Sequence, residues 1–320
     1  MLVVTTMARI ARSEVLDRKD ENCVLTECVA APGRQLAGLL SPLSAATDER
    51  RSFIQELIGL FRQHFAVELI AYTFDGNRIK QMLRPKPQLA EVLSAEELAR
   101  RWLIICPSLR KYKTPLNAPS EEDICRLCND PDWIERIRSQ LSDVAWWNRL
   151  LCQRIAQNFN RRDNLSGRFW EGRFRSTLLL DEMSRLTCLA SIDVANRSLC
   201  AVLVVTDDTP AQPGPPKNDE ARMLVAQMNE KEYTNLLDWT HQALAEIPSD
   251  TLLENAAKVM LWKRDITASV WLALVMNFEY HFSQIAGRLE NMDRHVSRIS
   301  HRRFFVRPQA RRLLRQQSLS

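Results

Sequence analysis

No run of about eighteen consecutive apolar residues occurs anywhere in this 320-residue sequence, which argues against a membrane-spanning helix. The start, Met1 to Thr6 followed by Arg9, Arg12 and Glu14, is too short and too mixed for a signal peptide, so a cytoplasmic protein without a membrane partner is expected. The five histidines, His64, His241, His281, His295 and His301, are dispersed and form neither His-x-His nor His-Glu-x-x-His. A catalytic metal centre therefore has little support, and no cofactor is expected. Glycine-rich phosphate loops and a Gly-x-Ser-x-Gly elbow are missing too. The eight cysteines are scattered, and Cys125-x-x-Cys128 has no second pair at zinc-finger spacing, so free thiols packed like small hydrophobes are expected instead of disulfides or zinc.

With 45% hydrophobic residues the chain can bury a substantial core, enough for one large domain and a smaller one. Its formal charge of +5 is unevenly placed: no acidic residue follows Asp293, yet eight arginines do, so without them the remainder carries about −3. A polyanion partner would suit such a terminus, nucleic acid above all, although a solvated, frayed end is an equal reading.

Cys23 to Ala30 reads as a short apolar strand, and Phe53, Ile54, Leu57, Ile58, Leu60, Phe61 and Phe65 recur at helical spacing over 48–65. Two strands, 67–74 and 78–84, flank the turn Asp75-Gly76-Asn77. Ser94 with Glu97 and Ser120 with Asp123 are capping pairs for helices to about Cys106 and Asn129. Pro131 opens a long helix to about Asn160 with Trp133, Ile137, Leu141, Val144, Trp147, Leu151 and Ile155 on one face. A strand over 174–180 is followed by a helix capped by Asp181 and running to about Arg197. Beyond Pro210, Pro213, Pro215 and Pro216, three amphipathic helices are expected at 230–246, 250–262 and 267–288.

This order predicts an α+β chain with a ferredoxin-like antiparallel sheet, a long helical insertion at about 88–160 and a C-terminal helical extension. The expected division is a domain over 1–205, a proline-rich linker over 206–218, a helical module over 219–293 and a basic tail over 294–320.

The most informative local stretch is Arg161 to Arg175, where arginines and aromatics interleave around Gly167 and Gly172. Arg161, Arg162, Arg168, Arg173 and Arg175 can neutralise phosphates, while Phe169 and Trp170 can stack on unpaired bases. An equally good account is a turn whose Phe169, Trp170 and Phe174 enter the core.

Gly167-Arg-Phe-Trp-Glu-Gly-Arg-Phe-Arg175, followed by Leu179-Leu-Asp-Glu182, closely resembles the segment before the catalytic helix of single-tyrosine, HUH-type transposases of the REP-associated, insertion-sequence-200-like kind. Met7-Ala-Arg-Ile-Ala-Arg12, Ala99-Arg-Arg-Trp-Leu103 with Cys106-Pro107, Leu141-Ser-Asp-Val-Ala-Trp-Trp147 with Arg149-Leu-Leu151 and Gln153-Arg-Ile-Ala156, and Leu237-Asp-Trp-Thr240 agree as well.

The resemblance implies a sheet with helices on one face, acting in DNA transposition and recombination on single-stranded DNA near hairpins, often as a homodimer. In such proteins a strand carries His-hydrophobic-His for a divalent cation, and a tyrosine on the following helix attacks the phosphodiester. Here Arg78 and Lys80 stand at the two ligand positions, with Ser191 at the nucleophile and Ala195 at the third ligand, or Ile192 and Asn196 after a one-residue shift, and no tyrosine in either case. Permanent cations repel a metal, and a serine lacks the activation that site would give it. The expectation is a catalytically inactive, transposase-like protein from a mobile element that binds hairpin or single-stranded DNA through Arg78, Lys80, the Arg161 to Arg175 stretch and the tail. The alternative is an active single-strand endonuclease with a displaced nucleophile, needing Mg or Mn. A third account is a decaying copy whose substitutions serve no purpose.

Overall fold

The computed structural model describes residues 22–36, 45–74, 76–106, 119–204, 219–247, 251–298 and 306–317, so the expected linker lies outside the described residues. In chain order, β1 (Val24–Val29) is followed by α1 (Ala45–His64), β2 (Val67–Phe74) and β3 (Arg78–Pro85). The helices α2 (Pro87–Glu91), α3 (Ala95–Ile105), α4 (Glu121–Cys128), α5 (Pro131–Leu141) and α6 (Val144–Arg162) lead to β4 (Arg175–Leu179) and α7 (Glu182–Val204). After them come α8 (Asp219–Ala226), α9 (Glu230–Leu244), α10 (Thr251–Trp262), α11 (Ala268–Met276), α12 (Phe278–His281), β5 (Ile285–Ala286), α13 (Leu289–Arg298) and α14 (Pro308–Gln317).

The protein is mixed α+β, with five strands in the order β2-β3-β1-β4-β5. β1 pairs antiparallel with β3 and β4, and β2 with β3. β5 runs parallel to β4, so the sheet is mixed and the all-antiparallel expectation needs correction. The cause is a segment read as helix: Leu178 N donates to Gln284 O at 2.8 Å and Leu180 N to Ala286 O at 2.9 Å, satisfying the free edge of β4.

Helices cover both faces of the sheet, not one. Side chains alternate along a strand, so Ile79 and Gln81 face opposite to Arg78 and Lys80. Gln81 is fully buried against α6, where its Oε1 accepts from Trp147 Nε1 at 2.9 Å and its Nε2 donates to Asn148 at 3.3 Å. Trp147 in turn meets Phe61 of α1 edge-on with ring centroids 5.4 Å apart, so α1 and α6 share one layer. The opposite face packs on α7.

The single long helix expected from Pro131 divides at Ser142 and Asp143. Asp143 accepts from Ala145 N at 2.6 Å and so caps α6, satisfying a backbone donor that the preceding turn would otherwise have used. The apolar periodicity crosses the break because both helices bury Ile137, Leu141, Val144 and Trp147 in the same core. Similarly, the helix expected over 267–288 ends at Asn277 and gives way to α12 and β5. Ser94 and Ser120 cap α3 and α4 as anticipated, accepting from Glu97 N and Asp123 N at 3.2 Å each.

The C-terminal helices dock against α7. Asp193 of α7, buried, accepts from Tyr233 of α9 at 2.6 Å and forms an ion pair with Arg222 of α8. Asp181 joins two helix starts: it accepts from Ser184 N at 2.9 Å, from Arg288 N at 2.6 Å and from Asn291 at 2.8 Å.

Candidate nucleic-acid interface

The register places Val29 opposite Arg78, and Glu27 opposite both Lys80 and Arg175. The C-terminal end of β1 therefore meets the starts of β3 and β4 at one end of the sheet, with these side chains on its α7 face. The residues of the Arg161 to Arg175 stretch lead into the same place. Glu171 N donates to Val29 O at 2.8 Å, and Ala31 N to Phe169 O at 2.9 Å. Two turns allow this, with Asn164 at φ 53° and Gly167 at φ 87°. Arg34 adds a tie from the facing loop, its Nη2 donating to Ser166 O at 2.8 Å.

The stretch separates its two residue types. Phe169 is 2% exposed and meets Phe159 edge-on at 5.7 Å, while the Trp170 indole donates to Cys152 O at 2.8 Å. Phe169 belongs to the interior, which corrects the expectation that it stacks on a base, whereas Trp170 and Phe174 pack partly buried beside the core. Apolar burial outweighs keeping large rings in water, at about 25 cal/mol per Å². Arg168, Arg173 and Arg175 remain exposed. Arg161 and Arg162, also exposed, close α6 in the other layer, where Arg162 pairs with Glu49 of α1 at 3.0 Å.

Arg78 and Lys80 lie two residues apart on the face towards α7, yet neither is the uncompensated cation expected from the sequence. Glu27, with its side chain 5% exposed, reaches Arg78 at 3.0 Å and Arg175 at 3.7 Å. Lys80 Nζ lies 2.5 Å from Glu279 of α12, the two side chains 18% and 25% exposed. Among the described residues three cations, Arg78, Lys80 and Arg175, thus lie beside two carboxylates at this end of the sheet. A buried charge is retained only with a partner, and burial in a low dielectric supplies the physical reason for both pairings. Sequence reasoning missed both acids: Glu27 interrupts an otherwise apolar strand, which was a usable signal, whereas Glu279 lay within a supposed helix and carried none.

Ser191 occupies the strip of α7 that starts at Cys188 and continues to Ala195, positions three and four apart along a helix. α7 packs against β3 and α12, the elements that carry Lys80 and Glu279, and its buried Cys188 thiol is pushed up chiefly by desolvation. Ser191 Oγ donates to Cys188 O at 2.7 Å, a common helical back-bond that leaves it without a base. Asn196 instead reaches β2, donating to Tyr72 O at 3.0 Å. Among the described tyrosines, Tyr72 is buried with a phenol pushed by burial to about 12, and Tyr233 is buried beside Asp193. Tyr280, 58% exposed, is next to Glu279.

Among the described residues no three His, Cys, Asp or Glu side chains gather as metal ligands. The divalent cation implied by the resemblance does not fit the pocket residues: its two strand positions carry cations, and the nearby carboxylates are already held by them.

The arginine-rich terminus is not a free tail where it is described. In α14, Ala310 and Leu314 are buried, Arg311 pairs with Asp293 of α13, and Arg307 donates to Glu279 O and Tyr280 O at 2.8 Å each. Arg312 and Arg315 stay exposed, and Arg302 and Arg303 lie outside the described residues.

Comparison of the chain with protein-family models, curated proteins and solved structures finds no match.

Proposed function

We propose that this chain is a DNA-binding protein on a transposase-like, ferredoxin-like scaffold, holding hairpin or single-stranded DNA by its phosphates without cutting it. The scaffold reading is supported by the strand order β2-β3-β1-β4 with antiparallel pairing, and by the crossover helices α1 and α6 sharing one face. The HUH-type reading gains from the position of Arg78 and Lys80 on the strand face towards α7, the helix bearing Ser191 and Ala195. The observation that carries the binding reading is the meeting of Arg78 and Arg175 on Glu27 at one end of the sheet, with Arg168 and Arg173 exposed on the segment that leads into β4. Guanidinium groups suit phosphate oxygens, and with Phe169 buried, backbone contact becomes the main source of affinity.

Fluorescence anisotropy with a labelled hairpin bearing a single-stranded extension tests this, with Mg or Mn present and a denaturing gel run on the same samples. Binding without strand cleavage is expected. Replacing Arg168, Arg173 and Arg175 together by Ala should flatten the slope of log K against log salt by about 2, since each single-strand phosphate contact contributes about 0.7. Absence of binding even at low salt overturns the reading.

A second reading, an endonuclease with a displaced nucleophile, is favoured by one feature: Tyr280 is exposed and adjacent in sequence to the pocket residue Glu279. A protein-linked DNA strand that disappears with Tyr280→Phe would establish it in place of the first.

A further inference from the structure

We infer that Glu279 is an internal stand-in for phosphate, an autoinhibitory side chain by which the C-terminal helices hold the pocket closed to nucleic acid. The inference rests on the DNA-binding reading of that same pocket and deepens it with a mode of regulation.

Lys80 is the innermost of the pocket cations, and its charge is already approached on β1 by its cross-strand neighbour Glu27. On β2 its neighbour is Thr73, whose buried hydroxyl oxygen has no hydrogen-bond partner. On α7 the buried Cys188 thiol lies within electrostatic reach of Lys80. Glu279 enters from α12 and puts a carboxylate oxygen 2.5 Å from the ammonium. An ammonium carries three rotatable donors, so the contact depends on charge and reach and not on one fixed geometry. Another anionic oxygen can replace such a contact.

The carboxylate is held there from outside the sheet. Arg307 donates to the carbonyls of Glu279 and Tyr280 at 2.8 Å each, satisfying groups at the end of α12. Arg307 immediately precedes α14, which is pinned by buried Val306, Ala310 and Leu314 and by the Arg311–Asp293 ion pair. The C-terminal helix thus sets the position of one acidic side chain in the cleft. Withdrawing α12 would take one carboxylate away from Lys80. It would also open Lys80 to a phosphate continuing inward from Arg78 and Arg175.

The test uses the full chain and two probes: a labelled single-stranded oligonucleotide followed by anisotropy, and inorganic pyrophosphate followed by thermal shift. Glu279→Gln, nearly isosteric, should bind the oligonucleotide about fivefold more tightly than wild type, with a salt slope steeper by about 0.7. It should also gain a pyrophosphate-dependent rise in melting temperature that wild type lacks. Adding Lys80→Ala should abolish both gains. Arg307→Ala, which leaves both charges in place but loosens α12, should move both readouts in the same direction and guards against an unexpected folding defect in the first variant. If oligonucleotide binding is missing in every protein while the pyrophosphate gain persists and depends on Lys80, the DNA reading fails but the plug stands. If neither Glu279→Gln nor Arg307→Ala exceeds wild type with either probe, the plug is wrong.

Discussion

Asp193→Ala should be among the most destabilising single changes in this chain, because it removes one member of a buried ion pair and strands the other. Both side chains of the Arg222–Asp193 pair are only 10% exposed, and the same carboxylate accepts the Tyr233 hydroxyl at 2.6 Å. Taking away the anion leaves a guanidinium with little access to water and a phenol without its acceptor. Loss of one partner from such a pair costs about 3–5 kcal/mol. At about 2–4 °C per kcal/mol, the melting temperature should fall by roughly 6–20 °C. The matched control is Glu254→Ala: its pair with Lys258 has side chains 38% and 52% exposed, and the expected cost is at most about 1 kcal/mol. Urea denaturation followed by circular dichroism provides the comparison. Adding Arg222→Met to Asp193→Ala should recover part of the loss, since the stranded charge is then gone. If Asp193→Ala costs no more than Glu254→Ala, the assignment of this cluster as the joint between α7 and the C-terminal helices is refuted.

A second prediction concerns Gly287, where an added Cβ would lie 2.8 Å from Asp181 Oδ2 and 3.2 Å from Leu180 Cβ. Gly287→Ala should therefore cost about 1–3 kcal/mol by displacing the carboxylate that caps α13, visible as a lowered urea midpoint; an unchanged midpoint would contradict the close approach. A third concerns acid. Burial lowers the pKa of His281, and burial followed by the Arg101 charge lowers that of His64, both from 6.5. Above that value both histidines are neutral in both states and contribute no slope. As pH falls below it, the unfolded chain binds protons first, so stability drops until the lowered folded values are passed. Urea midpoints at about pH 7, 6 and 5 should decline in that order, and less steeply in His281→Gln; equal slopes would remove His281 from the explanation.

Much of the secondary structure was legible because its causes are local. The helical spacing of Ile54, Leu57, Ile58 and Phe61, the hairpin turn before Arg78, and Ser94 and Ser120 as caps each act over a few residues, and the elements formed close to where those signals placed them. The two helices that broke differently did so for different reasons: Asp143 capped α6 instead of continuing a helix, and the backbone after Asn277 was recruited to the sequence-distant edge of β4. Periodicity does not register such a break, since burial keeps the apolar pattern intact on either side of it.

The site divides along the same line. From the sequence alone follow the absence of paired histidines and the presence of Arg78, Lys80 and Ser191 at positions where the resemblance would require other chemistry. They are matters of residue type, and no fold can change them. Tertiary structure alone determined which faces those residues share and what neutralises them. Sheet register brought Glu27 to Arg78 and Arg175, packing turned Phe169 inward, and Glu279 crossed 199 positions of sequence to meet Lys80. A charge's effect depends on its neighbours within a few ångströms, and distance along the chain carries almost no information about those neighbours.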